Sequence, residues 1–134
     1  PLLELDEVIE YPEHALWVLV FSDGQTLEAE YDVPGGRLLL SMDLGAAQAD
    51  KAAALHRLLL QYNHLWRQTG GVRMALSGDN VVQMLELTVA RLELPILLRA
   101  LAALREQAAL WRTMLTPPAT PDAVDAVDPR ALRV

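Results

Sequence analysis

The stretch LWVLVFSDGQTLEAEYD, residues 16–32, contains two strand-like runs separated by a turn. Its second part, Thr26 to Asp32, alternates apolar with polar, mostly acidic side chains, which is typical of a strand with one buried face. Its first part, Leu16 to Phe21, is apolar at every position, so both faces of that strand need cover by another layer, a subunit or a ligand. The turn residues Ser22 to Gln25 lie between the two parts and predict an antiparallel hairpin.

Turn signals on either side extend this hairpin into a meander. Tyr11 to His14 contains a proline, and Val33 to Gly36 contains Pro-Gly-Gly. Each turn separates runs of β-prone or alternating residues. The sequence therefore predicts four short antiparallel strands between Leu3 and Leu44.

Beyond Gly45 the hydrophobic period becomes helical and predicts a helix from about Ala46 to Thr69, with a glycine pair as its stop. The apolar stripe of this helix includes Leu58 and Leu65 and is wider than one sheet face requires. A second apolar contact is therefore expected, and an isologous contact with a second copy of the chain supplies one.

The second half of the chain predicts a hairpin and a second helix. The runs Val72 to Ser77 and Val81 to Val89 are strand-like and flank a Gly-Asp-Asn loop. Pro95 fits the first turn of a helix that continues to about Leu115. The predicted fold class is α+β, with an antiparallel β meander, a long central helix, a β-hairpin and a C-terminal helix.

Composition limits the classes of function. The 134 residues suit one domain, predicted over residues 1–115, and the Pro/Ala/Asp-rich residues 116–134 are predicted to be extended or disordered. A net charge of -7 without a basic cluster argues against a nucleic-acid partner. The longest apolar run is far below the roughly 20 residues that span a bilayer, so no membrane insertion is expected. The absence of cysteine is compatible with a reducing cytoplasm.

No catalytic, cofactor or metal site is predicted. His56 and His64 lie about 12 Å apart along one helix and cannot share a metal ion within a protomer. The acidic residues alternate along strands, so we expect solvated faces that attract a basic partner segment rather than the paired carboxylates of a hydrolase. The two glycine pairs lack the Gly-Lys-Ser/Thr of a phosphate-binding loop.

The order of elements from Pro1 to about Leu115 carries a family resemblance. The stretches that carry it are Pro1–Glu7, Phe21–Gly24, Leu38–Gly45, Leu59–Trp66 and Ala108–Arg112. In their order and spacing they resemble class I type III secretion chaperones, the CesT or Tir-chaperone-like family. Members of that family usually begin with an amphipathic helix, so the resemblance implies that this first helix is lacking or trimmed here.

The resemblance implies a non-enzymatic homodimer in the bacterial cytoplasm. Its expected partner is a secreted effector, a toxin, whose N-terminal chaperone-binding segment it keeps soluble and secretion-competent without any cofactor. The central helix and the following hairpin are expected near the two-fold axis. The predicted dimer interface is Leu58, Tyr62, Leu65, Trp66, Val72 and Met74.

The doubly apolar strand and its neighbours are the predicted effector-binding surface. The strand's two faces carry Leu16, Val18 and Val20 on one side and Trp17, Leu19 and Phe21 on the other. The sequence leaves open which of the two the helices cover. The predicted effector-binding residues are Trp17, Leu19, Phe21, Leu27, Ala29, Tyr31, Leu38 and Leu40.

Two alternative functions stay open at this point. The first is a regulatory chaperone of the same fold, which binds an anti-activator or a secreted regulator and controls secretion gene expression. The second is a small hydrolase or ligand-binding α+β domain, favoured by the general fold pattern alone.

Overall fold

The computed structural model describes residues 4–115, which form six strands and two α-helices. The elements are β1 Leu5–Tyr11, β2 Leu16–Phe21, β3 Thr26–Asp32, β4 Arg37–Ala46, α1 Ala52–His64, β5 Arg73–Ser77, β6 Asn80–Thr88 and α2 Leu94–Leu115. The predicted α+β order of meander, helix, hairpin and helix is confirmed. The predicted tail, residues 116–134, lies outside the described residues, as do residues 1–3.

The strands form one antiparallel sheet in the order β1-β2-β3-β4-β6-β5. The hairpin β5–β6 joins the meander because β6 pairs with β4 along nearly its full length. The β4 strand contains a bulge, where the register shifts between Asp43 and Gly45. Gly45 has a φ of 94°, and its N–H donates to Asp43 Oδ1 at 2.8 Å. A residue with φ above zero at a bulge is where glycine fits without strain.

Both helices pack on the same face of the sheet, which we call the covered face. Its side chains on adjacent strands lie in register, as in the row Trp17, Ala29, Leu40 and Leu85. Its largest fully buried side chains include Phe21, Leu27, Leu40 and Met42, with Leu104 of α2 packed among them. Burying one such side chain contributes about 1.5–3 kcal/mol, so this layer supplies most of the core.

The opposite face of the sheet, which we call the open face, carries no helix from the described part of the chain. Cross-strand pairing places two rows on it: Val18, Glu28, Ser41, Met84 and Arg73 in the first, and Leu16, Glu30, Leu39 and Glu86 in the second. The open face is therefore a mixture of aliphatic and charged side chains.

Helix α1 is shorter than predicted at both ends. Ala46 belongs to β4, where it pairs with Asn80, and a single 3-10 turn precedes the helix. After His64 the chain continues in turns up to Gly70 and Gly71, both of which have positive φ. The periodic pattern predicted the helix correctly but not its bounds, because at the N-terminal side Ala46 pairs in the sheet and residues 49–51 form the 3-10 turn.

Candidate protein-binding surfaces

The covered face holds all eight side chains predicted to bind an effector, and half of them are inaccessible. Phe21, Leu27 and Leu40 have no exposed surface, and Ala29 is 8% exposed. They lie beneath α2 in the hydrophobic core. The described residues of α2 cover this part of the sheet, so these four side chains are not available to a partner unless α2 moves.

The remaining four, Trp17, Leu19, Tyr31 and Leu38, are half-buried. Trp17 and Leu19 pack against the edge of the core, and register places Val8 of β1 directly beside Leu19 and Leu5 beside Phe21. Both β1 side chains are exposed, Val8 to 53%. Apolar surface of this kind borders α2 on the β1 side.

Helix α2 adds a leucine to the same border. Arg105 lies over the Phe21 ring, with its guanidinium carbon 4.2 Å from the ring centroid. Leu98 is two helical turns earlier on that side of α2 and is exposed. We call Leu5, Val8, Trp17, Leu19 and Leu98 the margin patch. It is a candidate surface for an apolar partner segment.

Two arginines of α2 fix the helix over the sheet. Arg105 donates to Asp23 Oδ2 at 2.7 Å, and Arg112 donates to the Asp43 carbonyl at 2.8 Å and to Gln25 Oε1 at 3.2 Å. The backbone N–H of Gln25 holds the pKa of the Asp23 carboxyl below its ordinary 3.8, and the Arg105 guanidinium acts in the same direction. These contacts hold α2 to the β2–β3 turn and to β4.

The predicted dimer residues also divide into exposed and buried side chains. Leu58, Leu65 and Trp66 are exposed apolar side chains, whereas Val72 and Met74 are each only 5% exposed and belong to the core. Val72 and Met74 lie on the covered face toward α1, so they are not accessible for the predicted contact between two copies. The outer side of α1 and the turns after it remain as an apolar surface.

Tyr62 lies between that surface and the core. Its ring makes a T-shaped contact with Trp111, centroids 5.2 Å apart, and its hydroxyl donates to Gln107 Oε1 at 3.3 Å. Burial raises the pKa of the Tyr62 phenol, which keeps it protonated as a donor. Tyr62 thus joins α1 to α2 and is half-buried in this protomer.

Asn63 makes a pair of hydrogen bonds that the sequence pattern did not reveal. Its Nδ2 donates to the Met74 carbonyl and its Oδ1 accepts from the Met74 N–H, both at 2.8 Å. Thr69 Oγ1 also donates to the Val72 carbonyl at 3.0 Å. The outer edge of β5 is therefore occupied at its first part, at Met74 and just before the strand at Val72, by side chains from α1 and its following turn.

The open face contains a shallow concavity of about 380 Å³. Leu39, Val82 and Met84 are among the side chains at its base, and Glu28 and Glu30 of β3 border it on one side. Within residues 4–115, no group of three or more His, Cys, Asp or Glu side chains could hold a metal ion. Neither described helix is both long and apolar enough to cross a bilayer.

A sequence model of the Tir chaperone protein (CesT) family matches residues 10–112, which is most of the chain. The chain therefore belongs to this family of type III secretion chaperones. The family resemblance predicted from the sequence is confirmed. No curated protein matches the sequence.

Two solved structures have a similar fold. A chain in the crystal structure of the ExsC-ExsE complex has a TM-score of 0.70 and 20% identity, over 83% of this chain and 84% of that one. A chain in the structure of the HopA1-SchA chaperone-effector complex has a TM-score of 0.66 and 20% identity, over 81% and 83%. The likeness extends over nearly all of the described residues and supports the α+β assignment.

Proposed function

We propose that this protein is a stoichiometric chaperone of the bacterial cytoplasm that binds the N-terminal segment of a secreted effector and keeps it competent for secretion. Membership of the Tir chaperone family is the observation that carries the proposal. One structural neighbour comes from a complex described as a chaperone with its effector. Binding is the whole mechanism, with no bond chemistry and no cofactor.

The margin patch supports this function. An unfolded segment offers apolar side chains at intervals, and they lose contact with water when they pack on exposed apolar surface. Val8 and Leu98 provide such surface beside half-buried Trp17 and Leu19. Since Asp23 and Arg105 hold α2 in place, the patch is available without unfolding the core.

The effector proposal is tested by capture with the full chain in the native cytoplasm, followed by mass spectrometry. We expect one stoichiometric partner that is retained through its N-terminal region and lost when that region is deleted. Capture of a transcriptional anti-activator instead would favour the regulatory alternative. If no protein were retained, both chaperone functions would be wrong.

A pair of variants locates the site. Val8→Asp with Leu98→Asp places two charges in the margin patch and is expected to weaken retention of the partner at least tenfold. Val33→Asp, at an exposed apolar position in the β3–β4 turn, is the matched control and should bind normally. Equal retention by both proteins would exclude the margin patch as the binding surface.

The proposed homodimer uses the outer side of α1. Leu58 lies on α1, Leu65 and Trp66 directly follow its last residue, and all three side chains are exposed. Burying an isologous apolar patch of this kind removes it from water in both copies. Light scattering should give about twice the chain mass of 14.8 kDa. Leu65→Lys should reduce it to the monomer mass, whereas Val33→Lys should not.

A further inference from the structure

The open face differs from the margin patch in having carboxylates within its apolar surface. Leu39, Val82 and Met84 are half-buried even though no described helix lies above them. Hydrophobic side chains on an uncovered sheet face are a surface that a partner can bury. The charges and the strand pairing of the open face limit which kind of segment this surface can bind.

Four charged groups on the open face already have partners within the chain. Arg37 pairs with Asp32 at 3.4 Å and with Glu86 at 3.2 Å. Asp43 accepts hydrogen bonds from the Asn80 side chain and from the Gly45 N–H. These contacts neutralise or occupy the carboxylates of Asp32, Asp43 and Glu86.

Glu28 and Glu30 are different, because within residues 4–115 neither forms an ion pair. Both are exposed and border the concavity on its β3 side. Arg73 shares the row of Glu28 but is three strands away, about 14 Å at the usual strand spacing. The chain therefore leaves two adjacent negative charges beside an apolar surface.

Strand pairing within the sheet limits the conformation of a segment that binds to the open face. The strands β2, β3, β4 and β6 each have a neighbour on both sides, so this part of the open face offers side chains and no free strand edge. A segment lying on it must satisfy its own N–H and C=O groups, as an α-helix does. A helix also presents a continuous apolar stripe to a sheet.

We propose that the open face docks an amphipathic helix of the bound protein, with its apolar stripe on Leu39, Val82 and Met84 and two basic side chains beside Glu28 and Glu30. Residues two apart on a strand are separated by about 6.7 Å, close to the 5–6 Å between helix positions four apart. Two basic residues one turn apart on the border of the stripe therefore meet both carboxylates. This inference rests on the proposed function and adds to it the charge and the shape of the segment.

The test uses two synthetic 18-residue peptides with the same leucine stripe. One has lysines on the border and the other has glutamates. Fluorescence anisotropy with the full chain should show binding of the lysine peptide and much weaker binding of the glutamate peptide. Circular dichroism should show a gain of helix in the mixture. Affinity should fall as salt is raised, because exposed charge pairs are screened.

Matched variants assign the effect to residues. Glu28→Gln with Glu30→Gln should weaken binding of the lysine peptide about 2- to 30-fold, the range for losing two exposed charge pairs. The control Glu10→Gln with Glu13→Gln makes the same change of net charge at exposed positions outside the open face. Met84→Asp should remove binding through the apolar contact.

Several outcomes would overturn the inference: equal binding of both peptides, equal weakening by both pairs of Gln variants, or binding without a gain of helix. A fall to monomer mass for Met84→Asp would also overturn it, because the open face would then be a contact between two copies. The effector proposal is judged separately. If the natural partner is still retained through its N-terminal region while the peptide test fails, only the open-face inference is lost.

Discussion

Leu39 and Leu40 are consecutive leucines of β4 with opposite surroundings. Leu40 is fully buried beneath α2, and Leu39 is half-buried on the open face beside the concavity. Strand geometry sends them to opposite sides of the sheet, and only one side receives the helices. An apolar residue on a strand of this fold therefore belongs either to the core or to the open face, and the packing of α2 determines which.

The same contrast runs through β2. Phe21 faces α2, whereas Val18 and Val20 face away from it. If the open face serves partners, its apolar residues should matter for binding more than for folding.

Leu40→Ala should lower the free energy of unfolding by about 2–5 kcal/mol, because it removes a buried side chain and leaves a cavity. Leu39→Ala, the neighbouring residue of the same type, should cost about 1 kcal/mol or less. Urea unfolding of both variants measures the difference. Equal losses would mean that the open face is packed as tightly as the covered face.

Asn63→Ala tests whether the covered face is held by polar contacts as well as by burial. It removes two hydrogen bonds to the backbone of Met74 and should lower the free energy of unfolding by about 1–3 kcal/mol. Gln61→Ala, at an exposed position on the same helix, is the control and should have little effect. Hydrogen exchange of the Met74 amide should accelerate in the first variant alone.

Gln83→Met tests whether the buried amide of Gln83 stabilises the core of the covered face. Gln83 is fully buried, its Nε2 donates to the Leu104 carbonyl at 3.0 Å, and its Oε1 has no hydrogen-bond partner within the described residues. Methionine has a similar volume and no polar group that could be left without a partner. The free energy of unfolding, measured by thermal unfolding, should therefore change by less than about 1.5 kcal/mol. A loss above 3 kcal/mol would show that the amide stabilises the core.

Asp23→Asn should change stability less than the other variants. Asp23 lies in the β2–β3 turn, whose contact with Arg105 holds α2 over the covered face. Because the folded-state pKa of Asp23 is depressed below 3.8, its stabilising contribution is present above that pH and is lost as the pH falls through the folded value. The variant should therefore unfold with a flatter pH dependence below about pH 3.8. An unchanged acid-unfolding profile would contradict the role given to Asp23.

The sequence predicted the strands, the turns and the hairpin because these depend on local alternation and on turn residues such as Gly24 and Gly78. It misjudged the start of α1, since the pairing of Ala46 with Asn80 is a tertiary contact. It could not assign the faces of β2, because both are apolar. It also missed Asn63, whose role depends on the backbone of a strand eleven residues further along the chain.

The occupied outer edge of β5 has a consequence for assembly. A sheet with two free edges can add strands at either end, and repeated addition leads to fibres. Asn63 and Thr69 use backbone groups of Met74 and Val72 that would otherwise accept another strand. Growth by edge pairing at this end is therefore blocked along the first part of β5. A segment that adds a strand to the sheet at this position would first have to displace the Asn63 side chain.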